Sequence, residues 1–283
     1  MAYSEYMAGR ELVLSVVPTA AGRIGSDAKL PVTPESIATQ VSECGAIGAT
    51  VASLYGWTEE GEPNPAALPD VAAAVREQTP EMLVEYAVGP ETPLGDYLAV
   101  FDTAPLPDLA QVRLTPTQYG RRGVTDLTRR DVDRFVEELQ DRGIKPNLLV
   151  ESGRDVHELH RLLEANRVTA PVVTLRLGAR DGAVATPLSL QALLDALPSA
   201  ARVLVAATGP NQYPMTMLAL FLGAHVRIGM GDNRYLGLDD PVDRNIQLVQ
   251  RVAEAVYHGE RSFADSAWAA ATFAFDSRRA KSQ

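Results

Sequence analysis

Short apolar runs alternate with longer amphipathic segments along the whole chain. Eight of the runs are typical of buried strands in length and composition, and helix-like segments follow them. The predicted strands cover residues 12–17, 50–55, 82–86, 111–114, 146–151, 172–177, 202–207 and 225–228. Eight strands each followed by a helix predict a (β/α)8 TIM barrel in one domain, residues 1–283, with an additional C-terminal helix over 263–275. A doubly wound sheet is the alternative, weakened because no Gly-x-Gly-x-x-Gly sequence opens the first helix.

Capping residues mark several predicted helix ends. Thr33 before Pro34 predicts the start of the first helix, which is expected to run to about residue 44 and to stop at Gly45. Thr128 and Ser189 are the predicted N-caps of two later helices, because their hydroxyls can accept from the first free backbone N–H groups.

The composition excludes several classes of protein. Of the 283 residues, 46% are hydrophobic and 22% are charged, which is typical of a globular chain. The net charge is -10 and no basic cluster is present, which argues against nucleic acid or an anionic membrane as a partner. Residues 1–10 lack an apolar core of signal-peptide length and no run has membrane-spanning length, which predicts a soluble cytoplasmic protein. Few lysines and many alanines suggest a bacterial source. The single cysteine, Cys44, is expected to be a buried, inert thiol.

In such a barrel, functional groups lie at the carboxyl ends of the strands and in the loops that follow them. That rule selects the candidates Pro18, Thr19, Ser53, Tyr55, Trp57, Glu85, Tyr86, Thr115, Gln118, Glu151, Arg154, Arg180, Thr208, Asn211, Gln212, Arg227, Asp232 and Asn233. Arg227 lies on the buried eighth strand, where a guanidinium needs a partner, so it either pairs with Asp232 or clamps a ligand.

The histidines offer no comparable signal. His157 and His160 are three residues apart on one helix, but the helices of a barrel lie outside the strands, which predicts surface histidines. His225 begins the eighth strand and is expected to be a hydrogen-bonded core residue.

Five segments resemble one known family when they are taken together in their order and spacing. They are residues 30–35 (LPVTPE), 60–63 (EGEP), 143–146 (GIKP), 211–215 (NQYPM) and 223–233 (GAHVRIGMGDN). The chain thereby resembles the β-keto acid cleavage enzymes, the family of the 3-keto-5-aminohexanoate cleavage enzyme. The resemblance implies a (β/α)8 fold, assembly as a homo-oligomer (dimer or tetramer), a divalent metal that is usually zinc, and exchange of an acetyl unit between a β-keto acid and acetyl-CoA.

The departures from the family pattern concern the metal. The resemblance implies a His-x-His pair at positions 53 and 55 and a glutamate at position 231, where this chain has Ser53, Tyr55 and Gly231. Because two hydroxyl oxygens cannot replace these ligands, we expect no zinc in this pocket. The resemblance retains Arg227, which helps to hold the substrate in the family, and Asp232, which acts there in proton transfer.

The first hypothesis for function is a metal-independent enzyme that acts on a small carboxylate-bearing substrate by proton transfer, with C–C cleavage or condensation. The expected catalytic residues are Asp232, Arg227, Tyr55 and Glu151, and the expected substrate-binding residues are Arg227, Ser53, Tyr86, Glu85, Asn211 and Trp57. The carboxyl groups could exchange protons provided that burial raises a pKa toward neutrality. Glu85 and Tyr86 face opposite ways, so only one enters the barrel, and Glu151 could instead pair with Arg154.

Two alternatives remain open. The barrel could be a catalytically inactive scaffold that binds a ligand or partner, which side chains filling the mouth (Trp57, Tyr86 and Met230) would favour. It could also be an acyltransferase with acetyl-CoA as co-substrate, which needs a cationic rim such as Arg121, Arg122 and Arg180 could form. No other cofactor is expected.

Overall fold

The computed structural model describes residues 10–20, 29–87, 89, 92–116, 118–119, 123–124, 127–237 and 239–273, with only the backbone at 118–119 and 123–124. Eight parallel strands form a closed barrel. They are β1 (Leu14–Val16), β2 (Ala49–Leu54), β3 (Leu83–Tyr86), β4 (Leu109–Arg113), β5 (Lys145–Val150), β6 (Val172–Leu177), β7 (Arg202–Ala207) and β8 (His225–Ile228). Each strand pairs with its neighbours in sequence and β8 closes on β1, which confirms the predicted (β/α)8 barrel.

Each strand is followed by a helix, and a ninth helix ends the described chain. The helices are α1 (Pro34–Ile47), α2 (Leu68–Gln78), α3 (Leu94–Ala99), α4 (Arg129–Asp141), α5 (Gly153–Glu164), α6 (Pro187–Ala196), α7 (Gln212–Phe221), α8 (Asn245–His258) and α9 (Ser266–Thr272). Short strands Glu11–Leu12 and Ser262–Phe263 pair with each other beneath the barrel. Among the described residues, no helix has both the length and the apolar character to cross a membrane.

The helix ends confirm some capping predictions and correct two. Thr33 and Thr128 cap α1 and α4 as predicted. The first helix continues through Gly45, however, because Gly48 is the residue that adopts a positive φ of 134° and ends it. Ser189 lies inside α6: its backbone N–H donates to the hydroxyl of Thr186, which is the N-cap and precedes Pro187.

Side chains alternate between the inside of the barrel and the layer beneath the helices. Tyr86 points outward, against the prediction that it binds substrate: its hydroxyl donates to the Pro105 carbonyl over 2.7 Å and its ring stacks on Phe101. Its neighbour Glu85 therefore points inward. Cys44 lies on the buried face of α1, as expected. Burial, followed by the charge of Glu43, raises the pKa of its thiol to about 12.

The bottom of the barrel is closed by apolar side chains. Phe273, which follows α9, is buried together with the lowest inward layer: Val13, Val51, Leu83, Leu109, Val172 and Leu204. His225 lies against this plug, with its ring edge-on to Trp268 and Phe273, and its Nδ1 accepts from the Val13 backbone N–H over 3.2 Å. The expectation of a hydrogen-bonded core histidine is confirmed.

We predict that His225 makes the protein sensitive to acid. Burial, with smaller effects of Arg261 and Arg202, lowers its pKa from 6.5 to about 3. Between those values the unfolded chain takes up a proton that the folded chain refuses. The proton uptake therefore leaves the free energy of unfolding unchanged above pH 6.5. Between pH 6.5 and pH 3 it lowers the free energy of unfolding by about 1.4 kcal/mol per pH unit as the pH falls.

Urea unfolding as a function of pH tests this prediction. Gln at position 225 can still accept from Val13 but does not titrate, so His225→Gln should lose about that slope. His157→Gln, on an exposed face of α5, should keep the wild-type slope. Identical pH dependence of wild type and His225→Gln would contradict the prediction.

Candidate active site

Above the apolar plug, the inward positions of the barrel become polar. The alternation that brings Val51, Leu83 and Leu109 into the plug also directs residues two and four positions further along each strand inward. The middle layer comprises Ser15, Ser53, Glu85, Gln111, Asn147, Thr174 and Arg227, all of them buried. The upper layer contains Tyr55, Ala87, Arg113 and Arg176. A barrel interior is usually filled by branched apolar residues, so this polar content marks the candidate site.

Glu85 lies at the centre of the middle layer, with an exposed fraction of 1%. The Asn147 amide Nδ2 donates to its Oε1 and also contacts Thr174 Oγ1 at 2.8 Å. Because β4 separates β3 from β5, the Glu85–Asn147 bond crosses the inside of the barrel. Burial raises the pKa of Glu85 above its ordinary value, although Ser53, Arg227 and Asn147 partly oppose the increase.

Glu151 joins two arginines at the top of the barrel. Its Oε1 accepts from Arg176 Nε over 2.7 Å, and its Oε2 accepts from Arg113 Nη1 over 3.3 Å. The alternative pairing with Arg154 is therefore wrong. Burial alone would raise the pKa of Glu151, but the charges of Arg176 and Arg113 outweigh it, and the pKa lies below the usual value. The condition set for proton exchange, a raised carboxyl pKa, is met by Glu85 and not by Glu151.

Arg227 and Asp232 form the second buried ion pair. Arg227 Nε and Nη2 donate to the two oxygens of Asp232 over 3.1 and 3.0 Å. The Arg227 side chain is fully buried and that of Asp232 is 5% exposed. Loss of one partner of such a pair costs about 3–5 kcal/mol, because the other charge stays buried without compensation. The Arg227–Asp232 ion pair, one of the two possibilities that the sequence left open, is thus present. It does not use Arg227 Nη1.

Several buried polar atoms in these layers have no hydrogen-bond partner in the described part of the chain. They include Arg227 Nη1 and, on Arg113, both Nε and Nη2. The amide of Gln111 has neither end bonded, and Asn147 Oδ1 has no partner either. Since buried polar groups are normally satisfied, such a concentration inside one barrel indicates a place for polar ligand atoms.

Tyr55 and Trp57 lie at the mouth above this layer. Both are buried and pack with Val17 and Ala87 in one apolar cluster. The Tyr55 side chain is close enough to interact electrostatically with all three interior guanidinium groups, those of Arg113, Arg176 and Arg227. Tyr55 therefore belongs to the site, while Trp57 covers its edge.

Other candidates lie away from these layers. Asn211 is exposed in the turn before α7, and Arg180 is exposed in the loop after β6. The Thr115 hydroxyl donates to Asp155 over 2.6 Å, and Asp155 also accepts from the Glu151 backbone N–H, so these residues fix the start of α5. The Gln118 side chain, Arg121 and Arg122 lie outside the described residues.

The turn after β8 is held close to the loop after β1. Gly231 N–H donates to the Val17 carbonyl over 3.0 Å, and a Cβ at Gly231 would lie 2.2 Å from the Thr19 carbonyl oxygen. The buried Asn245 accepts from Met230 N–H over 2.7 Å and donates to the Pro18 carbonyl over 3.0 Å. Glycine at position 231 is therefore a steric requirement of this backbone.

The residues at the family's metal positions do not fit zinc. Ser53 and Tyr55 offer a hydroxyl and a phenol, and Gly231 has no side chain and no room for one. In the part of the chain that the structure describes, no group of three or more His, Cys, Asp and Glu side chains converges as an ion would require.

Sequence reasoning missed Arg113, Arg176 and Gln111. The signal was available, because Gln111 and Arg113 alternate with apolar residues in one strand, as do Thr174 and Arg176 in another. Polar residues at every second position of a buried parallel strand mark the face that enters the barrel.

We predict that Gly231→Ala destabilises the protein by at least about 2 kcal/mol, because the added Cβ would clash with backbone atoms of Thr19, which can move only if the loop moves with them. Gly95→Ala is the matched control: no atom lies within 4 Å of its Cβ, so it should lose no stability. Urea unfolding of both variants measures the difference. Wild-type stability of Gly231→Ala would show that the turn can move away.

Comparison with known proteins agrees with this architecture. The model of the beta-keto acid cleavage enzyme family matches residues 11–274. The 3-keto-5-aminohexanoate cleavage enzyme of Acetoanaerobium sticklandii is 25% identical over 226 residues, 79% of this chain and 83% of that protein.

Solved structures extend the likeness to the fold. The apo structure of ObcA superposes with a TM-score of 0.70 at 16% identity, covering 87% of this chain and 65% of that one. The binary complex of ObcA with oxaloacetate gives a TM-score of 0.68 at 15% identity, covering 87% and 67%. This chain thus spans about two thirds of the ObcA chains. With the family model matched over nearly all its length, the chain belongs to the β-keto acid cleavage enzyme family.

Proposed function

We propose that this protein binds a small carboxylate-bearing substrate, a β-keto acid or an amino acid-like relative, inside the polar layers of the barrel. The reaction is C–C cleavage or condensation by proton transfer, without a metal ion. One observation carries the proposal: buried guanidinium N–H groups of Arg113 and Arg227 have no hydrogen-bond partner among the residues that the structure describes.

The free donors of Arg113 suit a carboxylate. Glu151 takes only Nη1, so Nε and Nη2 stay together on the side of the guanidinium that binds a carboxylate through two parallel hydrogen bonds. Burial and the nearby charge of Arg176 lower the pKa of Arg113, and the carboxylate of Glu151, which is shared with Arg176, opposes this only in part. A substrate carboxylate would supply the missing negative charge.

The other charged residues have distinct roles in this proposal. Arg227 Nη1 and the Tyr55 hydroxyl stabilise the enolate oxygen that receives the electron pair of the breaking C–C bond, and Asp232 exchanges the proton that the enolate carbon gains in cleavage and loses in condensation. Asp232 and Glu151 hold Arg227 and Arg113 in place as their counter-ions. Ser53 contributes a hydroxyl to the same layer, and Trp57 excludes water at the mouth.

The relatives support the substrate class. The curated relative is a 3-keto-5-aminohexanoate cleavage enzyme, and one ObcA structure is a complex with oxaloacetate. Both names denote β-keto acids, and ObcA shares the barrel described above. We extend only this class to the present chain.

A second candidate function is a scaffold without catalysis. It is favoured by the complete burial of Arg227 and by the packing of Tyr55 and Trp57 with Val17 and Ala87, which fills part of the mouth. Two of the side chains that would have filled it lie elsewhere: Tyr86 points outward, and Met230 joins the layer beneath the helices. Binding without turnover distinguishes the scaffold from the enzyme.

Acetyl-CoA as co-substrate and assembly into a dimer or tetramer stay predictions. Arg180 is exposed on the mouth side of the barrel, where it could meet a phosphate group. The other two arginines of the suggested cationic rim fall outside the described residues.

We predict that acetoacetate binds and that its neutral analogue acetone does not. Arg113→Met removes the free donor pair while leaving Glu151 paired with Arg176, so affinity should fall at least about tenfold. Arg180→Met, a change to an exposed arginine, should bind as the wild type does. Calorimetric titration of the three proteins measures the affinities. Equal affinity of wild type and Arg113→Met would remove the basis of the proposal.

We predict further that turnover of β-keto acids, with or without acetyl-CoA, survives chelation. Plasma emission analysis of protein purified without chelator should find much less than about one zinc ion per chain, because Ser53, Tyr55 and Gly231 do not supply the donors that zinc requires. Activity measured before and after dialysis against a chelator should agree. Chelator-sensitive turnover restored by zinc would overturn metal independence while leaving the carboxylate site intact.

A further inference from the structure

Glu85 is almost completely buried and forms no ion pair with the described residues, and both conditions favour the neutral acid over the carboxylate. Its direct partner is the amide of Asn147, with the hydroxyl of Ser53 on the neighbouring strand. Among the described residues, the interior guanidinium groups form their ion pairs with Glu151 and Asp232, and none pairs with Glu85. A buried carboxyl that lacks a paired cation is stabilised in its protonated form.

The charges of the interior do not balance if Glu85 is neutral. Three guanidinium groups, those of Arg113, Arg176 and Arg227, then face two carboxylates, those of Glu151 and Asp232. One positive charge is left over, and the free N–H groups belong to two of these arginines. An ionised Glu85 would instead give three charges of each sign and no requirement for an anion.

Apart from Arg227, the other middle-layer side chains named above are polar but uncharged. The unpartnered amide of Gln111 and the unpartnered Oδ1 of Asn147 share the layer of Glu85, together with the Ser15 hydroxyl. These groups can accept or donate hydrogen bonds without changing the net charge. They suit the neutral carbonyl portion of a substrate whose carboxylate lies higher, at Arg113.

We propose that Glu85 is held as the neutral carboxylic acid and donates a hydrogen bond to the carbonyl oxygen of the substrate, and that the interior accepts substrates with a single carboxylate. The inference rests on the function proposed above and deepens it. The O–H of Glu85 strengthens its hydrogen bond as negative charge builds on that oxygen, while the proton stays on Glu85. Burial, which raises the pKa of Glu85, agrees with this assignment.

Infrared spectroscopy tests the protonation state without any activity. The wild-type protein at pH 7 should show the C=O stretch of a protonated carboxylic acid, and Glu85→Gln should lack it. Glu138→Gln, at a surface carboxylate paired with Arg134, should retain the band. Absence of the band from the wild type would overturn the inference, whatever ligand the protein binds. Titration of the band in the wild type gives the answer even if Glu85→Gln does not fold.

Binding and turnover test the role. Gln at position 85 keeps the acceptor for Asn147 and the net charge, but its amide N–H is a weaker donor than a carboxylic O–H, so acetoacetate affinity should change less than about threefold while turnover falls about tenfold. A dicarboxylate such as oxaloacetate should bind more weakly than acetoacetate. Tighter acetoacetate binding by Glu85→Gln, tenfold or more, would mean that Glu85 is ionised and would overturn the inference. A wild type that shows the band but binds no carboxylate would refute the proposed function and, with it, the hydrogen-bond role, though not the neutral acid.

Discussion

Three guanidinium groups lie within a barrel of parallel strands, and the need to compensate them determines the rest of the site. A buried cation without a partner would cost several kcal/mol, so each arginine must be met by a carboxylate or a ligand. Asp232 reaches Arg227 only because the turn after β8 folds back tightly, and Glu151 reaches Arg113 and Arg176 from the end of β5. The geometry of the strand ends follows from these pairs.

The barrel itself was predictable because its determinants are local. Apolar runs, helical periodicity and capping hydroxyls are properties of neighbouring residues, and the eight strands followed from them. Errors arose where two neighbouring residues could perform the same task, as with Gly45 and Gly48 at the end of α1. The choice between them depends on which glycine reaches a left-handed conformation, and tertiary packing decides that.

The candidate site was predictable only in part. Arg227 and Asp232 are five residues apart, so their pairing could be suspected from the sequence. Glu151 meets partners that are 38 and 25 residues away, on two other strands, and only the register of the barrel brings them together. Glu85 and Asn147 are likewise joined across the interior. The nearby Arg154 was the natural but wrong partner for Glu151, because sequence proximity says nothing about which residues point inward.

The apolar plug around Phe273 beneath the barrel restricts how small molecules can enter and leave the interior. Phe273 and the aliphatic side chains around it close the described part of the barrel from below, so the approach to the polar layers lies at the carboxyl ends of the strands. A product must leave by the path along which the next reactant arrives. Two molecules that meet inside would therefore have to enter in a fixed sequence, with the deeper one first.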